Sequence, residues 1–123
     1  MERSFTNGEL VRISARLEAA TSKDIVMPPK VAYKIIKNNL AVKQALQAFE
    51  TARNEIIERE SGGKSTVDAE QDPQLFDKVN KAITEIALER VSLDIVTVSL
   101  DDIPGEGVPI SFISALDFMI EEG

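Results

Sequence analysis

The run PKVAYKIIKNNLAVKQALQAFETARNEIIERE, Pro29 to Glu60, decides the fold. Pro28 is held extended by the proline after it, and Pro29 suits the first position of a helix, where its missing N–H leaves no bond unmade. Beyond it Ala32, Ile35, Ile36, Leu40, Val42, Leu46, Phe49, Ile56 and Ile57 recur at helical spacing, with a shift of face near Asn38-Asn39. That pair has poor helix propensity, and a bend or break is expected there. An unbroken helix over this stretch would be about 48 Å long at about 1.5 Å per residue. That exceeds the width of a compact domain of 123 residues. Either the helix bends, or it projects and meets a partner.

Working outward toward the N-terminus, Phe5-Thr6-Asn7-Gly8-Glu9-Leu10 predicts a helix start. Thr6 is the cap, Glu9 holds the reciprocal capping position, and Phe5 and Leu10 are the hydrophobic staple. Leu10, Ile13, Leu17 and Ala20 continue as an apolar stripe to a helix end near Ala20, with Arg12 and Arg16 off the stripe one turn apart. In the other direction Ser61 to Gln71, SGGKSTVDAEQ, reads as a mobile loop of turn formers. Asp72 and Pro73 then cap and open a third helix with the stripe Phe76, Val79, Ile83 and Ile86. Val91, Leu93 and Ile95 alternate as a strand, after which Val96, Val98 and Leu100 move the apolar set to the other parity, the pattern of a bulge or of a strand covered on both sides. Asp101 to Gly107 is a turn, Val108-Pro109-Ile110 a brief edge strand, and Ser111 the cap of a last short helix. The expected fold is one domain, mainly α with a small β element: a helical hairpin or small bundle around a long central helix, ending in a C-terminal helix.

The chain has no His, Cys or Trp, which removes imidazole, thiolate and the usual zinc chemistry and leaves no cofactor to expect. Its net charge of −7 argues against general affinity for nucleic acid. That total conceals a polarity: residues 1–43 carry eight basic and four acidic side chains, residues 44–123 six and seventeen. No apolar run reaches the ~20 residues that span a bilayer, and MERSFTNGEL lacks the apolar segment of a signal peptide, so a cytoplasmic protein is expected.

Three constellations are candidates for function. Lys30, Lys34 and Lys37 fall on one helix face beside Tyr33, and with Arg12 and Arg16 they could line a pocket for phosphates or a nucleotide, Tyr33 stacking on the base. Set against this, a lysine run is ordinarily a solvated face. Asp94, Asp101, Asp102 and Glu106 form an acidic surface suited to a basic partner, or simply a solvated turn. Ala45 and Phe49 on the long helix, with Phe112, Leu116 and Met119 of the last helix, are the candidate oligomer interface, because apolar residues surround that last helix and a second subunit would cover them. Gly62-Gly63-Lys64-Ser65-Thr66 ends like a phosphate-binding loop, but Glu58 stands where the pattern needs its first glycine, and no strand precedes it.

FTNGEL, KVAYKIIKNN, AFETARNEII, VSLDIVTVSLDDI and ALDFMIEE together resemble a family of short proteins of unknown function encoded by phages and prophages of Gram-positive bacteria. The likeness covers nearly the whole chain through structural rather than catalytic signatures, so it supplies no active-site residues. It implies phage origin, and with it a non-enzymatic protein that binds a host protein, as an inhibitor of a host defence system or enzyme or as an adaptor. The alternatives are an oligomeric sponge for a nucleotide signal and a virion assembly or structural accessory protein.

Overall fold

The computed structural model describes residues 1–22, 25–64 and 66–121. The fold is mainly α with small β elements, built on one long helix. In chain order the elements are β1 (Glu2–Thr6), α1 (Asn7–Thr21), α2 (Pro29–Ser61), α3 (Pro73–Ala87), β2 (Arg90–Asp94), β3 (Val98–Ser99), α4 (Ile110–Ala115) and β4 (Ile120–Glu121).

The helix starts follow the local chemistry. Thr6 Oγ1 accepts from the Glu9 N–H at 3.1 Å, Asp72 Oδ1 accepts from the Leu75 N–H at 3.1 Å, and Pro29 and Pro73 occupy first positions. At the far end of α2, Gly62 takes φ of 75° and its N–H returns to the Glu58 carbonyl, a left-handed cap that a side chain would strain.

The helix α2 is continuous through Asn38-Asn39, contrary to the expected bend. Asn38 is buried, and its side chain serves another segment: Nδ2 donates to the Val96 carbonyl at 2.8 Å, and Oδ1 accepts from the Val96 N–H at 2.9 Å. Asn38 therefore presents the donor and acceptor pair of a neighbouring strand to the chain crossing α2 between β2 and β3. This crossing explains the parity change of the apolar residues. The chain leaves one sheet, in which β2 pairs antiparallel with β1 (Phe5 opposite Val91, Arg3 opposite Leu93), and joins a second, in which β3 pairs parallel with β4 (Val98 opposite Ile120).

The strand β1 has no counterpart in the sequence reading. Two other expectations are corrected at the C-terminal end. Val108-Pro109-Ile110 is not a strand: Pro109 precedes α4, Ile110 begins it, and Ser111 lies inside it, not at its cap. The last helix, short as expected, also ends before Met119 and Ile120, giving way after Ala115 to a 3-10 turn over Asp117–Met119 and then to β4.

The core gathers Phe5, Leu10 and Leu17 from the first two elements, Val31, Ile35, Val42, Leu46 and Phe49 from α2, and Ile95, Val98, Phe112, Leu116 and Met119 from the last third. Phe5 and Phe118 meet edge to face with ring centroids 6.5 Å apart. Val79 is the buried residue of α3, whose stripe otherwise lies half covered against α2, with Phe76 exposed. Between α2 and α3, Ser61 is still helical, Lys64 N–H donates to Ser61 Oγ at 3.0 Å, and Ser65 lies outside the described residues.

Candidate functional site

The basic residues separate into two places. Arg12 and Arg16, one turn apart on α1, rim a cleft of about 290 Å³ against the end of α4. Phe5, Ile13, Ala115 and Phe118 form its apolar walls, and Glu9 and Asp117 add carboxylates to the rim. None of the three lysines lines that cleft. Lys34 is half-buried, and its ammonium donates to the Thr97 carbonyl at 3.0 Å, tying α2 to the chain between the two sheets. The Lys37 ammonium sits 5.8 Å from the centroid of the exposed Tyr33 ring, and Lys30 is exposed. Among the described residues, the charged contact between α1 and α2 is instead Lys43 with Glu18, at 3.9 Å. The composite pocket of arginines, lysines and Tyr33 is thus not assembled: one lysine has a structural task, and the aromatic ring already meets a neighbouring ammonium.

The acidic residues also divide. Asp94 ends β2, its Oδ1 3.2 Å from the Met1 amino nitrogen. Asp101 and Asp102 occupy a 3-10 turn, Leu100–Asp102, that follows β3, and Glu106 lies just beyond; all three are exposed. This turn is fixed at both sides, because Ser99 Oγ accepts from the Asp101 N–H at 3.3 Å and Ile103 is buried in the core. Leu100 stands 56% exposed among these carboxylates, whereas the alternation of the sequence placed it with the core set.

The candidate oligomer interface is corrected by burial. Phe49, Phe112, Leu116 and Met119 are all buried within the single chain, and Ala45 is half-buried against the same core. The physical reason is that α4 packs on α1, and Met119 of the 3-10 turn after it meets Asn38 of α2, so these residues are covered within one chain. The apolar residues left outside are others. Tyr33, Ile36 and Leu40 on α2 are 62%, 59% and 57% exposed. A signal for them was present in the sequence: α2 carries two apolar rows, and the row of Val31, Ile35, Asn38 and Val42 takes the inner face, leaving Ile36 and Leu40 outside.

Among the described residues, no group of three or more acidic side chains converges as a metal site, and no helix is long and apolar enough to cross a membrane. The Gly62–Lys64 stretch caps α2 and follows a helix, not the strand that a phosphate loop needs. Comparison of the chain with protein-family models, with curated proteins and with solved structures finds no match.

Proposed function

We propose that this chain is a phage-encoded binding protein, without enzymatic activity, that acts in the host cytoplasm by protein–protein contact on a host factor, as an inhibitor or adaptor. The observation that carries this reading is the turn Leu100–Glu106. It displays an exposed leucine followed along the chain by the exposed Asp101, Asp102 and Glu106, on backbone anchored by Ser99 and Ile103. An apolar anchor held before the partner arrives loses little ordering entropy on docking, and the neighbouring acidic residues support fast capture of a basic groove. Phage origin rests on the resemblance of the five sequence stretches.

The test is affinity capture from a Gram-positive host lysate with the intact protein, followed by titration of the captured host protein. Leu100→Ala should weaken that interaction about tenfold or more, as a small anchor residue does. Asp101→Asn with Asp102→Asn should slow association and flatten its salt dependence. A partner bound equally well by both variants would overturn the assignment of this turn.

A second reading, the nucleotide sponge, is supported by the Arg12 and Arg16 cleft, since two guanidinium groups above an apolar floor suit an anion carrying a ring. A thermal-shift screen with mono-, di- and cyclic nucleotides checks it. The expected response is a rise in Tm that disappears in Arg12→Ala/Arg16→Ala and persists in Lys37→Ala.

A further inference from the structure

We propose that the outer face of α2 is a self-association surface on which a second copy of this chain lies antiparallel, related by a two-fold axis near Gln44. This interface stands apart from the Leu100–Glu106 turn, and its test does not depend on the host-factor reading.

The face is read from exposure along one helix. Opposite the buried row of Val31, Ile35, Val42, Leu46 and Phe49, the residues Tyr33, Ile36, Leu40, Gln44, Ala48 and Thr51 are all exposed. They continue one side of the helix at spacings of three and four. Lys30 and Lys37 stand at the N-terminal half of this side, and Glu55 and Glu58 at its C-terminal half, all exposed. The two halves therefore differ in both charge and size: cations and large apolar groups at one end, carboxylates and alanines at the other.

A parallel second copy would set lysine on lysine and glutamate on glutamate. An antiparallel copy crossing at Gln44 sets Lys30 against Glu58 of the partner subunit and Leu40 against Ala48 of the partner subunit, and it does so twice by symmetry. Ile36 then meets Ala52 of the partner subunit, so Ile36 and Leu40 each face a short side chain and the helices can approach closely around Gln44. The two helix dipoles also oppose each other in this arrangement. Lys30 and Glu58 are about 42 Å apart along a single α2, so they cannot pair within one chain.

The decisive experiment is a charge exchange read by sedimentation equilibrium between about 1 μM and 1 mM protein, a range that covers weak association. The wild-type chain is expected to form a dimer. Lys30→Glu alone and Glu58→Lys alone should each weaken it about tenfold, since two attractive pairs become repulsive. An equimolar mixture of the two variants should recover association as a mixed dimer, because every contact is again between opposite charges. Ile36→Glu/Leu40→Glu should be monomeric with unchanged far-UV circular dichroism. The chain has no cysteine, so single labels can be placed freely. Spin labels at Gln44→Cys should lie close together in the dimer, and labels at Lys30→Cys about 42 Å apart, a spread that only the antiparallel register gives. A monomer throughout the concentration range, a dimer indifferent to Leu40, or a mixture that fails to recover would each overturn the proposal.

Discussion

Asn38 and Asn39 are chemically identical neighbours with opposite fates. Asn38 is enclosed and uses its amide to pair both polar groups of Val96, while its Nδ2 also lies 3.3 Å from Met119 Sδ. Asn39 Oδ1 is enclosed without a hydrogen-bond partner among the described residues. A buried amide that satisfies two backbone groups stabilises, whereas an enclosed oxygen left unpaired costs its desolvation. Asn38→Ala strands the Val96 N–H and carbonyl and opens a void, and chemical denaturation should show a loss of about 2–4 kcal/mol. Asn39→Ala removes the unpaired oxygen and improves helix propensity, and the same measurement should show a gain of about 0.5–1.5 kcal/mol. Propensity alone marked this dipeptide as a weak point in the helix. It could not reveal the use of Asn38, because that depends on Val96, 58 positions later, arriving without a strand partner of its own.

At the scale of elements, the starts of α1, α2 and α3 were the most legible part of the sequence, since capping chemistry is local: Thr6, Asp72 and the two prolines act within three or four residues of themselves. The strand β1 was not legible, because Glu2–Thr6 lacks alternation of its own and becomes a strand only by pairing with β2. The end of α2 shows how such a long element is held beyond the main core. Glu60 Oε2 lies 2.9 Å from the Lys78 ammonium on α3, and this hydrogen bond and charge, helped by Arg59, hold the Glu60 carboxyl below its ordinary value of 4.5. The folded form thus binds the proton less readily than the unfolded chain does. The contribution of the pair is complete above pH 4.5 and is lost as the pH falls through the lowered folded value. Thermal melts of the wild type and of Lys78→Met should accordingly differ at neutral pH, and the difference should close on acidification through that range. If the difference is unchanged at low pH, Lys78 acts through packing, not through Glu60.

Across the whole molecule, the charge polarity of the sequence is distributed by topology. Lys30, Lys34, Lys37 and Lys43 lie on α2, and one of them, Lys34, is spent on the Thr97 carbonyl; Arg12 and Arg16 rim a separate cleft. The candidate residues were therefore legible as types and not as a constellation: helical spacing places Lys30, Lys34 and Lys37 on one face, but which chain segment crosses that face is a matter of tertiary path. The same holds for Phe112, Leu116 and Met119. Their apolar surround signalled burial on most sides, and only the tertiary path decides that the cover comes from within the one chain. The register of β1 with β2 has a further consequence in time. Ser4 and Arg90, which meet across that sheet, are 86 positions apart. During synthesis from the N-terminus at 5–20 residues per second, β1 waits roughly 4–17 s for its partner strand. Through that interval Phe5 and the open strand edge are exposed on the nascent chain, so the window for premature association closes only when β2 emerges.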